Sequence, residues 1–146
     1  MGGASAPSSS DRPVFWGFRV AAAAKESYLL SLVSDGPVET QRRKVADLQL
    51  DSCLDASVVS GELGIAARKP SMKALQSVLE KPGASPRVAV YVAENSLKDF
   101  LGARRVGTRA VRVREPSGFY TDLEPPAPDH AANIEIRALA GLERCW

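Results

Sequence analysis

Four short apolar runs alternate along the chain with four stretches of helical character, and that alternation constrains the fold more than any other feature. The runs are Tyr28–Val33 (YLLSLV), Ala56–Ser60 (ASVVS), Arg87–Val92 (RVAVYV) and Arg109–Arg114 (RAVRVR). The first is continuously apolar, the style of a strand buried on both faces, the second is a short β-branched run, and the third reads as a strand. The fourth alternates and suits a more exposed strand. Between them, Val38–Leu48 places Val38, Val45 and Leu48 near one helical stripe, and Gly36-Pro37 supplies a turn into it. A second helix follows Ser71, carries Met72, Leu75, Val78 and Leu79, and stops at Lys81-Pro82-Gly83. A third starts at Ser96 and ends near Arg105, with Gly107 as its C-terminal cap. A proline-rich loop over Pro116–His130 leads to a last helix over Ile134–Leu142. Strand and helix in alternation imply an α/β sandwich with a mainly parallel sheet and right-handed crossovers.

In such sheets the carboxyl ends of the strands form the site. Three polar endings fall there: Ser34-Asp35, Glu62 with the downstream Lys69, and Glu94-Asn95 with Asp99. Taken singly, each has an ordinary structural reading. Ser34 suits a turn-forming hydroxyl and Lys69 a surface lysine. Asp99, three residues after Ser96, has the spacing of a helix-capping pair. Glu62 reads as a loop acid held by a neighbour, and His130 as a solvent-facing side chain.

Composition narrows the function classes. The charge is close to balanced, nineteen Lys and Arg against seventeen Asp and Glu, which gives no basic field for nucleic acid. The cluster Gln41-Arg42-Arg43-Lys44 reads as a solvated helix face. Cys53 and Cys145 form neither a CxxC pair nor a metal-ligand cluster, which fits a reducing cytoplasm. No apolar run approaches the roughly 20 residues of a membrane span. Residues 1–11 read as a disordered tail, despite the faint acylation echo of Gly2 and Gly3, and 12–146 as a single domain. Val14–Phe18, with its three aromatics, requires burial, and Val20–Glu26 is rich in helix formers.

Together, these endings resemble the haloacid dehalogenase superfamily of phosphohydrolases. Leu32-Val33-Ser34-Asp35-Gly36-Pro37-Val38-Glu39-Thr40 resembles its second motif, where a hydroxyl at a strand end binds a phosphoryl oxygen. Arg68-Lys69-Pro70 resembles the third, whose lysine neutralises the phosphate and the nucleophile. Val92-Ala93-Glu94-Asn95-Ser96-Leu97-Lys98-Asp99 resembles the fourth, which carries the metal-binding carboxylates. The resemblance runs from Tyr28 to Leu142 and implies a three-layer α/β/α Rossmann-like core with a mainly parallel sheet, truncated and capless. It implies a phosphate site at Ser34, Asp35, Gly36 and Lys69, and a weakened magnesium site at Glu94, Asn95 and Asp99. A phosphorylated small molecule is the implied ligand.

Two departures qualify that implication. Ala93-Glu94 stands where the family has Gly-Asp, and the extra methylene moves the carboxylate by on the order of 1 Å, enough to cost about 100-fold in rate. The Asp-x-Asp motif that supplies the family's nucleophile and general acid is absent, as is the cap that selects substrate. Before Ser34 the acidic residues are Asp11 and Glu26, neither ending an apolar strand. Whether the chain is an enzyme is therefore open. It reads as a catalytically impaired phosphatase-type domain, a pseudoenzyme. The alternative is a non-enzymatic scaffold that self-associates or recruits a partner at its sheet edge. In the family the first-motif strand lies centrally, beside the strands ending at Ser34 and Val92. Three remedies for its loss exist. Val14–Phe18 fills the slot, the flanking strands close on each other, or another chain, a second copy or a complementing protein, donates a strand.

Overall fold

The computed structural model describes residues 28–69 and 71–145. The tail expected over 1–11, the Val14–Phe18 segment and the helix expected over Val20–Glu26 lie outside the described residues. Their order is β1 (Ser31–Ser34), α1 (Val38–Asp47), β2 (Ala56–Val59), α2 (Lys73–Glu80), β3 (Val90–Ala93), α3 (Phe100–Val106), β4 (Arg109–Val113) and β5 (Ile134–Ile136). Short 3-10 turns join several of them, the longest being Leu139–Arg144 at the end of the chain.

Among the described residues all strand pairs are parallel. They form two ladders, β1 with β2 and β3 with β4 with β5, and no backbone ladder joins β1 to β3 among the described residues. The two ladders nevertheless share one core. Val33 of β1, Ala56 and Val58 of β2, Tyr91 and Ala93 of β3 and Ala110 of β4 meet Leu75 and Val78 of α2 and Phe100 and Ala103 of α3. A second cluster covers the other face of the three-stranded ladder, where Val111, Ile134 and Ile136 pack with Leu142 and Cys145. α1 covers the other side of the β1–β2 pair and buries Val45. The architecture is an α/β Rossmann-like fold of three layers, with strand order β2-β1, a seam, then β3-β4-β5.

The local chemistry explains most boundaries. Pro37 stands just before α1, where a missing N–H costs nothing. Gly107 ends α3 at φ +97°, and its N–H bonds back to Ala103 O and Arg104 O. That left-handed conformation carries no Cβ penalty in glycine. Ser71 accepts from Lys73 N just ahead of α2. The third helix begins at Phe100 rather than Ser96, because residues 95–99 form a tight turn closed by Asp99 N donating to Asn95 O.

Two expectations are corrected. The helix expected over Ile134–Leu142 is instead a strand followed by a 3-10 turn. Ile134, Glu135 and Ile136 alternate with period two, and register against Val111, Arg112 and Val113 puts both isoleucines on the core. The strand over Arg109–Arg114, expected to be exposed, is the middle of its ladder. Ala110 and Val111 are fully buried and Arg112 nearly so. Arg112 tolerates that position because its guanidinium donates to Tyr120 O and Leu123 O of the proline-rich loop, although its Nε finds no partner. An arginine in a buried strand misled the alternation reading because backbone carbonyls, not solvent, satisfy it.

Candidate functional site

The carboxyl ends of β1, β2 and β3 converge. β1 delivers Ser34 and then Asp35. β2 ends at Val59 and hands on to Ser60, which is fully buried. β3 ends at Ala93 and leads into the turn carrying Asn95, Lys98 and Asp99. Lys69 enters from the loop after β2.

Two ion pairs tie these ends together across the seam. Lys69 Nζ donates to Asp99 Oδ1 at 2.8 Å, with both side chains largely buried. Lys98 Nζ lies 3.4 Å from Asp35 Oδ2. Asp35 is held further by the Ser60 hydroxyl at 2.7 Å and by Lys69 N–H at 3.2 Å, both onto Oδ1. Ser60 in turn accepts from Gly36 N. The Ser34 hydroxyl donates to Gln41 Oε1 at 2.6 Å and is half-buried. Lys69 also lies 5.8 Å from the centroid of the Tyr91 ring. Val33, Tyr91, Lys69, Lys98 and Asp99 border a narrow crevice between the two ladders.

The electrostatics follow from this geometry. Burial works against the Lys69 ammonium, but Tyr91 and Asp99 outweigh it and hold its pKa above the ordinary range. Burial also works against the Asp35 carboxylate. The Ser60 hydroxyl, the Lys69 N–H and Lys98 more than compensate and hold it below its ordinary value. Burial raises Tyr91, against the pull of Lys69. Glu94 sits at the exposed rim. Loss of solvent on its inner side, then the Asp99 and Glu115 carboxylates, push its pKa up.

Of the residues expected at a phosphate site, Asp35 accepts from Lys69 N, Gly36 bonds to Ser60, and Ser34 turns its hydroxyl to Gln41. Their roles differ. Ser34 and Lys69 offer a hydroxyl and a cation. Asp35 is an acceptor in every contact and holds Lys98 and the Lys69 backbone in place. Gly36 has its N–H already committed to Ser60.

The residues expected at a metal site are also neighbours, but mostly engaged. Asn95 Oδ1 accepts from Leu97 N, and Asp99 Oδ2 accepts from Asn95 N. This reciprocal pair is a capping arrangement centred on Asn95 rather than Ser96, whose hydroxyl donates to Leu123 O instead. With Asp99 Oδ1 on Lys69, Glu94 is the carboxylate of this group with no hydrogen bond or ion pair among the described residues. Among the described residues no group of three or more His, Cys, Asp or Glu side chains is assembled to hold a metal. Magnesium takes six oxygens in near-octahedral order, and this donor set does not fit it as it stands.

Several participants escaped the sequence reading. Ser60 ends β2 as Ser34 ends β1, and that parallel was the available signal. Lys98 sits inside the fourth-motif resemblance, which assigned it no role. Gln41 and Arg42 were assigned to a solvated face. Arg42 instead donates to Ser57 Oγ and pairs with Glu62 at 2.7 Å, so Glu62 is held by that neighbour. His130 is partly covered and pairs with Asp129. Both cysteines are buried and free.

Comparison with known proteins bears on this arrangement. Residues 20–113 match the haloacid dehalogenase-like hydrolase family. A glyceraldehyde 3-phosphate phosphatase of Methanopyrus kandleri is 33% identical over 109 residues, covering 75% of this chain and 45% of that protein. A phosphoserine phosphatase of Thermus thermophilus is 30% identical over 117 residues, covering 80% and 44%. The chain thus spans just under half the length of these relatives. Among solved structures, YfnB of Bacillus subtilis, crystallised with magnesium, superposes with a TM-score of 0.73 at 22% identity, covering 88% of this chain and 53% of that one. A phosphatase from Thermococcus onnurineus gives 0.66 at 24% identity, covering 95% and 57%. No described helix is long and apolar enough to cross a membrane.

Proposed function

This chain belongs to the haloacid dehalogenase-like hydrolase family, and from that premise we propose that it is a phosphate-recognising domain without turnover of its own. The ligand is a small phosphorylated molecule, the class that the names of its phosphatase relatives indicate. The carrying observation is the Lys69 ammonium, largely buried where the strand ends meet and paired with Asp99. A cation and a hydroxyl in a site with little water favour a phosphoryl dianion through short, charge-assisted hydrogen bonds. Binding exchanges Lys69 from Asp99 to the phosphate, and Lys98 remains on Asp35.

Turnover requires a nucleophile near phosphorus. Both Asp35 and Asp99 are engaged as acceptors, and Ser34 donates to a glutamine amide rather than to a base. None is activated.

The test is titration of the folded full-length chain with inorganic phosphate and with an aryl phosphate, followed by amide chemical shifts and by release of the aryl alcohol. Shifts at Ser34 and Lys69 that disappear in Lys69→Met, with no alcohol released, are the expected result. Release of alcohol would overturn the reading of impairment. Absence of any shift would overturn phosphate recognition.

The scaffold reading keeps one supporting observation, that among the described residues no ladder joins β1 to β3. It predicts association that is indifferent to Lys69→Met.

A further inference from the structure

The pairing of β1 with β2 carries past the end of the ladder. Its register sets Ser34 opposite Val59, so the next residues, Asp35 and Ser60, come side by side as both strands end. There the Ser60 hydroxyl makes two contacts. It accepts from Gly36 N at 3.2 Å and donates to Asp35 Oδ1 at 2.7 Å. Chemistry fixes both directions, because an amide N–H only donates, an ionised carboxylate only accepts and a hydroxyl carries one hydrogen. Ser60 is fully buried. The following residue closes the two turns on each other. A Cβ on Gly61 would meet Gly36 O at 2.7 Å and Val38 Cγ2 at 3.1 Å, so backbone lies on backbone and a side chain has no room. The turn that follows β1 is thus shaped by the turn that follows β2.

We infer that Ser60 is a positioning residue of the site: by holding the Asp35 carboxylate it sets the Lys69 backbone and the Lys98 ammonium around the place where an anion meets Lys69. This deepens the phosphate-recognition reading and rests on it for the identity of the anion. Asp35 receives three donors from three places in the chain. The Ser60 hydroxyl comes from the end of β2, Lys69 N–H at 3.2 Å from the loop after it, and Lys98 Nζ at 3.4 Å from the turn after β3. The hydroxyl bond is the shortest of the three and is sealed from water, whereas the Lys98 side chain is 42% exposed. A short O–H···O bond to an ion is of the strong, directional kind, so it fixes the carboxylate plane that the other two donors meet. Without it the carboxylate can turn, and Gly36 N–H loses its acceptor. Buried and with its one hydrogen committed, Ser60 acts through Asp35 and does not touch the ligand.

NMR on the full-length chain tests it, with Ser60→Ala, Asp35→Asn, the double variant and inorganic phosphate as the probe. In wild type the Asp35 carboxyl carbon titrates below its ordinary value, and in Ser60→Ala it is expected to move up. The Lys69 amide proton is expected to follow that titration in wild type and to lose the response in Ser60→Ala. The phosphate dissociation constant is expected to rise about 10-fold in Ser60→Ala, with the double variant binding no more weakly than Asp35→Asn alone. Amide shifts of β4 and β5 report whether each variant remains folded. An Asp35 titration unchanged by Ser60→Ala, or a Lys69 amide that still follows it, would overturn the inference. So would additive losses of phosphate affinity, which would mean that Ser60 acts by a route other than Asp35. If wild type binds no phosphate, the phosphate reading falls by itself, and the Asp35 and Lys69 signals still decide whether Ser60 holds the carboxylate.

Discussion

The two ladders of this molecule are unequally finished. The three-stranded side has a core on both faces, and its central strand is sealed by a buried arginine bonded to loop carbonyls. The two-stranded side leans on α1 and α2 and completes its core only by sharing residues with the other half. Among the described residues the connection between them is made at one layer of side chains and at two ion pairs, with no backbone ladder. The difference teaches that the site and the seam are the same place. The groups that recognise a ligand also hold the halves in register, so a change in one is read in the other.

The most damaging way to break this comparison is to empty the shared core. Phe100 is fully buried beneath both ladders, and Phe100→Ala is expected to cost about 3–5 kcal/mol. Denaturant unfolding followed by fluorescence measures it. A loss confined to one half, seen as two transitions, would show that the ladders are separate folding units.

A smaller effect sharpens the contrast on the three-stranded side. Arg112→Met leaves the carbonyls of Tyr120 and Leu123 without their donor, at a cost of about 1–3 kcal/mol. Exchange protection should fall across residues 116–124 and in β4, and stay unchanged in β1 and β2.

The smallest predicted effect concerns the rim. The Glu94 carboxyl binds its proton more tightly in the folded chain than in the unfolded one, so its charged form opposes folding. The stability linked to its protonation is fully present below about pH 4.5, the unfolded value, and is lost as pH rises through the higher folded value. Glu94→Gln should raise Tm at pH 7 by on the order of 1 °C, given its exposure, and the gain should vanish below pH 4.5. Asp35 has the opposite sign. Its folded pKa is depressed, so its contribution is present above 3.8 and is lost as pH falls through the lower folded value. Thermal melts of Asp35→Asn and Glu94→Gln from pH 3 to 7 should therefore converge with wild type on acidification for opposite reasons.

Much of this was legible in the residues. Apolar runs of strand length, a glycine-proline turn before α1 and Gly107 after α3 each act through local backbone chemistry, which travels with sequence. That the carboxyl ends of β1, β2 and β3 lie near one another was legible because strand ends of a parallel sheet point one way. What was not legible depended on partners far along the chain. Ile134–Ile136 chose strand over helix because β4 offered an open edge. Arg112 is buried because a loop eight to eleven residues later supplies acceptors. Asp99 was read as a ligand or a cap, and its ion pair with Lys69 spans thirty residues. Sequence spacing carries no trace of such a contact.

The account rests on Lys69 and Asp99 being coupled across the seam, and a double-mutant cycle measures that coupling directly. Lys69→Met and Asp99→Asn each strand a partner in a mostly buried site, and each is expected to cost about 3 kcal/mol. The double variant should be markedly more stable than the sum of the two losses implies, with an interaction energy of at least about 1.5 kcal/mol. Additive losses, within about 0.5 kcal/mol, would mean that the two strand ends do not meet and that the site described here is not one site.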